Sequence, residues 1–411
     1  MEIRPIFSAL MRNKTGPILV AVQVALSLAI LANALHIVNI RQAVTARPSG
    51  VTAESDIFHL IVRRLRESGH EEQLATQKAQ AATLRGVPGV LSVADTNQVP
   101  LSRSGSYNSF VTDLKQDKQT AATSYYISPD SLVKTWGLKV IEGRDFVPSD
   151  VMEIDQNTSK EQPGVIMISK TLGERAWPGA TSYVGKTLYM GVGPEAKPAR
   201  VIGVIERLQS PGAQLGVDGE TTSIVPVRLT GDSFSLYTVR AEPGQRERVM
   251  KEAEEALRKA GNNQVVVKSK TLDDDRKDRY RADVGLAWML ITVSALLLLI
   301  TASGIVGMAS LWVTQRRKQI GVRRALGARR VDILRYFITE NILITSVGVT
   351  AGVLLALALN QLLVSKLEME RLPAAYMLVG AGVFWVLGIV AVYGPAWRAA
   401  STSPALATRS A

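Results

Sequence analysis

Cysteine is absent from this 411-residue sequence, and histidine occurs only three times, as His36, His59 and His70. Without cysteine no disulfide bond can form, and the histidine spacing does not match a zinc site. No Ser/His/Asp set is legible from the spacing either. We therefore predict no metal site and no catalytic residue, and we expect His59 and His70 to lie on the surface of a helix.

A phosphate-binding loop is also missing. Residues 179–187 read GATSYVGKT, but five residues separate the two glycines where the phosphate-binding pattern requires four. We therefore expect this chain to hold no nucleotide or other cofactor.

Charged residues are absent from four long apolar runs, at 16–40, 284–314, 341–365 and 372–397. About 20 such residues are needed to cross a hydrocarbon core ~30 Å thick. Buried helices of soluble proteins rarely stay apolar on every face. The four runs therefore predict four transmembrane helices.

Basic residues are concentrated in three short segments: the start of the chain, the link between the second and third runs, and the end of the chain. These segments hold 13 basic and 2 acidic residues, whereas the remainder has 35 basic and 34 acidic residues. Short basic segments mark the cytoplasmic side of a membrane. The distribution predicts cytoplasmic termini and an outer region at 41–283, and it argues against a nucleic-acid partner.

The first run has some features of a signal peptide, because Ala32-Asn33-Ala34 fits the small-x-small cleavage pattern. Its apolar length exceeds the ~7–15 residues of a signal core, so we interpret it as a retained helix. The preceding residues 1–15 predict an amphipathic helix on the inner membrane surface, with a frayed tail as the alternative.

The second run is longer than a membrane requires. Its 31 residues correspond to about 46 Å of helix, which predicts a helix that continues outside as a stalk; a tilted helix is the alternative. The predicted order is then as follows: N-terminal helix 1–15, helix 16–40, outer domain 41–283, helix with stalk 284–314, cytoplasmic segment 315–335, helix 336–365, short outer loop 366–371, helix 372–397 and cytoplasmic tail 398–411.

The outer region alternates between helix and strand signals. Apolar residues at helical spacing predict a helix over 54–85, and a second helix is predicted over 244–260. Strands are predicted at 90–99, 201–205, 235–239 and 265–267. The alternation predicts a domain of mixed βαβ subdomains, with a second subdomain inserted into the first at about 164–230.

The link at 315–335 combines basic residues with apolar ones that a cytoplasmic loop would expose to water. Gly321 and Gly327 would allow a sharp entry into and exit from a short helix between them. An apolar ridge within a cationic rim suits a docking helix for another protein. The apolar residues are Ile320, Val322, Ala325, Leu326 and Ala328.

This link resembles the MacB/FtsX-like permeases of ABC transporters, which share R-x-x-E-I-G-V-x-R-A-L-G-A between their second and third spans. Here residues 316–328 read RRKQIGVRRALGA, with Gln319 where the family usually has Glu. The resemblance implies a coupling helix that lies in a groove of an ATPase subunit. The implied ATPase-coupling residues are Arg317, Ile320, Gly321, Val322, Arg323, Arg324, Ala325, Leu326, Gly327 and Ala328.

Further segments resemble the same family in the expected order. The stretch 333–340, ending in Glu340, is similar to the start of its third span, and 395–406 is similar to its C-terminal signature. Residues 137–146 (GLKVIEGRDF) resemble a box of the MacB-type periplasmic core, as does the block 165–186. We expect the 137–146 box to be a packed turn rather than a ligand site.

The resemblance implies a non-catalytic permease subunit in the bacterial inner membrane, with its large domain in the periplasm. A separate cytoplasmic ATPase would bind ATP and Mg, and a second permease chain, identical or homologous, would complete the membrane part. ATP-driven motion would then move the periplasmic domains for efflux or release of a substrate (mechanotransmission). A periplasmic adaptor and an outer-membrane channel are further candidate partners. The alternatives are an FtsX-like regulator of cell-wall hydrolases and a membrane-anchored periplasmic enzyme or receptor.

Overall fold

The computed structural model describes residue 10 and residues 14–214, 216–261, 264–367 and 370–401. Most of the predicted N-terminal helix 1–15 and tail 398–411 therefore lies outside the described residues. The chain divides into a helical unit, residues 1–45 and 282–411, and an α/β unit, residues 46–281.

Nine α-helices are found in the described part of the chain. They are α1 (Thr15–Thr45), α2 (His70–Arg85), α3 (Leu132–Trp136), α4 (Lys170–Ala176), α5 (Arg246–Ala260), α6 (Leu272–Gln315), α7 (Arg317–Ala325), α8 (Arg330–Leu367) and α9 (Ala374–Ser401).

Thirteen strands are found in the same ranges. They are β1 (Ile57–Arg64), β2 (Val90–Thr96), β3 (Tyr107–Val111), β4 (Ala121–Ile127), β5 (Val140–Gly143), β6 (Met152–Asp155), β7 (Val165–Ser169), β8 (Thr187–Met190), β9 (Lys197–Ile205), β10 (Thr222–Val225), β11 (Val227–Thr230), β12 (Phe234–Ala241) and β13 (Gln264–Thr271).

Four of the described helices, α1, α6, α8 and α9, are long and apolar enough to cross a membrane. With the α/β unit between the first and second of them, they confirm the predicted fold class. Helix α6 has 44 residues and begins 12 residues before the apolar run. The predicted helical extension of the second run is therefore present.

Small residues bring α8 against α1. A Cβ added to Gly348 would lie 2.8 Å from the carbonyl oxygen of Ala21, and one added to Gly352 would lie 3.0 Å from that of Ala25. Membrane helices pack closely where small residues recur at this four-residue spacing. The two glycines therefore fix the α1–α8 contact.

Polar contacts connect α1 to α6. The hydroxyls of Ser27 and Thr301 lie 2.9 Å apart, and Arg41 Nη1 donates to Asp283 Oδ1 at 2.5 Å. Hydrogen bonds between apolar helices fix how each helix is rotated about its axis, because another rotation would leave a polar side chain without a partner.

The α/β unit is built on two main sheets. The four-stranded antiparallel sheet has the order β13-β1-β12-β2, and α2 and α5 pack on one of its faces. The seven-stranded sheet has the order β5-β9-β7-β10-β4-β3-β8, and β6 pairs with β11 separately. All strands of the seven-stranded sheet lie between β2 and β12 in the chain, so this sheet is inserted, but it begins with β3 and not at the predicted residue 164.

The predicted helix over 54–85 is wrong in its first half. Residues Ile57–Arg64 form β1, which pairs with β12 and β13, and helix α2 begins only at His70. Phe58, Leu60 and Val62 are buried on one face of β1, but Ile57 and His59 are buried on the other. Because both faces are covered, the apolar residues lost the two-residue alternation that marks a strand.

The prediction for His59 is wrong for the same reason. This side chain lies in a central strand, where it is 4% exposed, rather than on the surface of a helix. His70 does begin a helix and is half-buried, with Nδ1 2.7 Å from the hydroxyl of Thr230.

Candidate functional site

The predicted docking segment folds into helix α7, which follows α6 after Arg316 alone. Gly327, with φ of 97°, ends it in the left-handed conformation that glycine favours. The amide of Ala328 donates to the carbonyl of Arg323, and that of Gly327 to the carbonyl of Arg324; these two bonds define a Schellman C-cap. Gly327 therefore forms the predicted exit, whereas Gly321 lies inside α7 and forms no entry.

One face of α7 packs into the helical unit. Ile320 is only 7% exposed and belongs to a cluster with Ile333 and Phe337 of α8. Gly321 is buried beside it. The same cluster includes three alanines of α9 that belong to the C-terminal signature found in the sequence: Ala396, Ala399 and Ala400.

The opposite face of α7 is exposed. Leu326 is 83% exposed and Val322 is 52% exposed, and the side chains of Arg317, Arg323 and Ala325 are also exposed. An exposed leucine at a helix end, among exposed arginines, is a small apolar anchor within a cationic rim. The structure thus divides the predicted residues: Ile320 and Gly321 attach the helix, and Val322, Ala325 and Leu326 form its free tip.

Two predicted residues fall between these groups. Arg324 is half-buried, and its Nε atom has no hydrogen-bond partner among the described residues. Ala328 is half-buried and packs against the cluster of Ile320. Gly327, which follows the C-cap residue Leu326, is exposed.

An ion pair that sequence reasoning missed holds the start of this segment. Arg316 Nη1 lies 2.8 and 2.9 Å from the two carboxylate oxygens of Glu340, and Glu340 is 1% exposed. The same nitrogen lies 3.4 Å from the hydroxyl of Tyr336. Arg316 and Glu340 each occur in motifs of the sequence, but their 24-residue separation gave no signal that they pair.

Helix α8 supports α7 through further charged contacts. The guanidinium of Arg323 lies 5.2 Å from the ring centre of Tyr336, which is a cation–π distance. Asp332 accepts a hydrogen bond from the amide of Arg329 and so caps the start of α8. The first contact joins α7 to α8, and the second caps α8 where the chain leaves α7.

Gln319 lines a small cleft with Arg316, Arg323 and Tyr336. A glutamate at this position would place a carboxylate next to two arginines. Glutamine lacks that charge, so the net positive charge of the segment is one unit higher than it would be with glutamate. The segment 315–335 as a whole carries eight basic residues and one acidic residue, Asp332.

The 137–146 box of the α/β unit runs from the C-cap of α3 through strand β5 to the residues that follow it, so the expected packed turn is in part a strand. Gly137, with φ of 63°, ends α3, and a Cβ on Gly143 would lie 2.1 Å from the carbonyl oxygen of Ile202. Arg144 donates to Asp150 at 2.7 Å, and Asp145 accepts from Ser131 at 2.5 Å. Both side chains are paired with residues that flank the box, so they serve the fold.

Metal-binding groups are not gathered anywhere in the described ranges: they contain no set of three or more His, Asp or Glu side chains placed to hold an ion. The basic, partly apolar surface of α7 is the candidate site, because its apolar tip is exposed while the opposite face of the helix is packed.

In a comparison with known protein families, residues 291–404 match the family described as FtsX-like permease C-terminal. The chain is 28% identical over 278 residues to a macrolide export ATP-binding/permease protein MacB of Agrobacterium fabrum, covering 65% of this chain and 40% of that protein. It is 28% identical over 292 residues to a pyoverdine export ATP-binding/permease protein PvdT of Pseudomonas savastanoi, covering 66% and 40%. A MacB of Bradyrhizobium diazoefficiens is 31% identical over 232 residues, covering 54% and 34%. The matches thus span two fifths or less of these relatives' own length.

Proposed function

We propose that this chain, whose residues 291–404 form an FtsX-like permease domain, is the permease subunit of an ABC exporter in a bacterial inner membrane. The exposed tip of α7 carries the proposal, because Leu326 extends from a helix whose other face is anchored by Ile320. A rigidly held apolar tip with a cationic rim suits a groove on a cytoplasmic ATPase.

The charge distribution supports the orientation. The basic segment 315–335 would face the cytoplasm, and the near-neutral α/β unit would face the periplasm. Both termini would then be cytoplasmic.

ATP and Mg would be bound by a separate ATPase subunit. The relatives are named as ATP-binding/permease proteins, so ATP binding accompanies the permease function in their names. Two permease chains, identical or homologous, would flank the ATPase dimer, so that closure of the ATPase pushes two copies of α7.

The motion would pass outward along α6 rather than open a polar channel. The four apolar runs contain no charged residue, whereas a polar pathway through a membrane usually contains ionisable groups. Helix α6 is one element from Leu272 to Gln315, so a displacement at its cytoplasmic end would reach residues of the α/β unit. This is the mechanotransmission expected from the sequence.

The exported substrate cannot be inferred from the similarity to these relatives. The relatives' names refer to macrolides and to pyoverdine, and proteins of one fold serve different substrates. A periplasmic adaptor and an outer-membrane channel are additional partners under this proposal.

Regulation of cell-wall hydrolases by the same motion is the alternative use of such a permease. The α/β unit of residues 46–281 favours export, because we expect hydrolase regulators to carry a smaller outer domain. A membrane-anchored receptor would leave the exposed tip of α7 unexplained.

Affinity purification of the tagged chain in mild detergent, with mass spectrometry of its companions, tests the proposal. We expect an ATPase subunit to co-purify, and an adaptor or a hydrolase would then decide between export and regulation. Recovery of the chain alone, even after crosslinking with ATP trapped, would contradict the proposal and favour the receptor.

A further inference from the structure

A cleft of about 320 Å³ opens in the α/β unit between three walls. The first wall is the four-stranded sheet, where His59 pairs with Lys270 across β1 and β13 and Lys268 lies two residues further along. The second is the loop 97–104, and the third is the start of α6, with Asp275 and Asp278. Its volume falls at the lower end of the ~300–1,000 Å³ range of small-molecule sites.

The loop wall is held in place before any ligand arrives. Leu101 and Arg103 have φ values of 66° and 80°, a conformation that is unfavourable for residues other than glycine. Gln98 is buried and bonds both Ser124 and the amide of Ser106. Arg103 donates to the carbonyl oxygen of Asp278 at 2.6 Å. A strained loop fixed by these bonds is a preformed wall.

The cleft contains a carboxylate oxygen that lacks a donor. Lys270 Nζ donates to Asp275 Oδ1 at 2.7 Å and lies 2.7 Å from an oxygen of Asp278. Asp275 Oδ2 is buried and accepts no hydrogen bond from the described residues, although His59 Nδ1 lies 3.4 Å away. Buried acceptors are nearly always satisfied, so this oxygen calls for a donor from outside the chain.

His59 does not supply the missing cation. Burial, reinforced by the nearby Lys268 and Lys270, lowers the pKa of His59 to about 4. The imidazole is therefore neutral at pH 7, and the 3.4 Å separation is not an ion pair. Shifted pKa values of buried groups in a cleft are typical of binding sites.

Lys268 supplies the second half of the site. Its side chain is exposed in the wall of the cleft and forms no ion pair with any residue in the described ranges. A simple anion would be repelled by Asp275 and Asp278, and a simple cation by Lys268 and Lys270. A ligand with both signs of charge satisfies both ends.

We propose that this cleft binds a small zwitterion, with its ammonium group on Asp275 Oδ2 and its carboxylate on Lys268. This chemistry is that of an amino acid or a short peptide with free termini. The site lies wholly within the α/β unit and does not depend on the proposed export function.

Titration calorimetry of the purified full-length chain at pH 7.5 tests the proposal with triglycine, N-acetyl-triglycine and triglycine amide. We expect triglycine to bind, and each blocked peptide to bind about tenfold more weakly or worse, because a hydrogen bond to a charged group contributes about 1.5–3 kcal/mol. In Lys268→Ala, triglycine and its amide should bind equally weakly. In Asp275→Asn, triglycine and N-acetyl-triglycine should bind with equal affinity.

Lys268 is exposed, so Lys268→Ala should fold normally even if Asp275→Asn does not. Lys118→Ala, which removes an exposed lysine outside the cleft, is the matched control and should bind as the unaltered chain does. Absence of heat with about 10 mM triglycine would overturn the proposal. Equal binding of all three peptides, or binding by Lys268→Ala that matches the control, would also overturn it.

Discussion

Arg316, the residue between α6 and α7, forms a two-oxygen ion pair with Glu340 of α8, whose carboxylate is buried in the helical unit. The pair joins the end of one long helix to the body of another at the point where the chain turns into α7. It therefore sets where α7 begins, while Ile320 sets which face it buries.

Removing one partner of this pair should destabilise the helical unit strongly. Arg316→Ala leaves the buried Glu340 carboxylate without its cation, and breaking a buried ion pair typically costs about 3–5 kcal/mol. Replacing both residues by apolar ones, Arg316→Met with Glu340→Leu, should recover most of that loss. Thermal unfolding of the purified variants in detergent measures both effects.

Arg317→Ala is the matched control for this comparison, because Arg317 is the exposed neighbour of Arg316. We expect its change to stay within about 0.5 kcal/mol. If Arg316→Ala were no less stable than Arg317→Ala, the ion pair would have no structural role.

The exposed tip of α7 should affect partner binding and leave folding intact. Replacing Ala325 and Leu326 by Asp places two charges on the proposed anchor. Loss of a central anchor costs about 2 kcal/mol or more, so the recovery of a co-purified ATPase should fall about 30-fold, and coupling of ATP hydrolysis should fall with it. Leu326→Met, which keeps an apolar tip, is the control and should bind normally. Normal ATPase recovery and stimulation by the double variant would contradict the assignment.

The α1–α8 contact should not tolerate a side chain at Gly352. Gly352→Leu forces its side chain against the Ala25 carbonyl and Leu28, and such overpacking costs about 1–3 kcal/mol. Gly382→Leu on α9 is the control, because a Cβ there meets no atom within 4 Å. Unfolding in detergent should separate the two variants, and equal stability would contradict close α1–α8 packing.

The long-range features of the fold were predictable where one physical constraint governed many residues. The charge-free runs specified four helices because a bilayer excludes charge over their whole length. The strand β1 was not predictable, because its two covered faces removed the alternation on which a strand prediction rests. Only its pairing with β12 and β13 distinguishes it from a helix.

The sequence predicted which segment forms the candidate site, but it did not predict which of its side chains are exposed. Sequence composition identified the apolar residues of 315–335, but it could not tell Ile320, which is buried, from Leu326, which is exposed. That difference depends on the side of α7 that meets α8 and α9. The Arg316–Glu340 pair depends on the same chain reversal, so it could not be predicted from the sequence.

The stability of the α/β unit should depend on pH through Asp95. Burial raises the pKa of Asp95 from 3.8 to about 7, and Asp130 adds to the rise while Arg228 and Arg64 oppose it. The folded unit therefore keeps a proton that the unfolded chain releases near pH 4. The free energy of unfolding should fall by up to about 4 kcal/mol as pH rises from about 4 to about 7.

His59 should act in the opposite direction over a similar range. Its pKa is lowered from 6.5 to about 4. Between these pH values the unfolded chain binds a proton at His59 and the folded chain does not. Its contribution to the free energy of unfolding is lost as pH falls from about 6.5 to about 4. In the unaltered chain the two dependences partly cancel, and single substitutions should reveal each of them.

Hydrogen exchange of β1 and β2, corrected for the intrinsic pH dependence of exchange, measures this at pH 4 to 8. Asp95→Asn removes one group that retains a proton, so the contribution of His59 should exceed that of the buried Asp275, and protection should rise with pH up to about 6.5. In His59→Gln the pH dependence that comes from Asp95 remains, so protection from exchange should fall as pH rises to about 7. The two variants thus require slopes of opposite sign, because one buried group excludes a proton and the other retains one. If protection changed with pH in the same direction in both variants, the opposite pKa shifts expected for Asp95 and His59 would be contradicted.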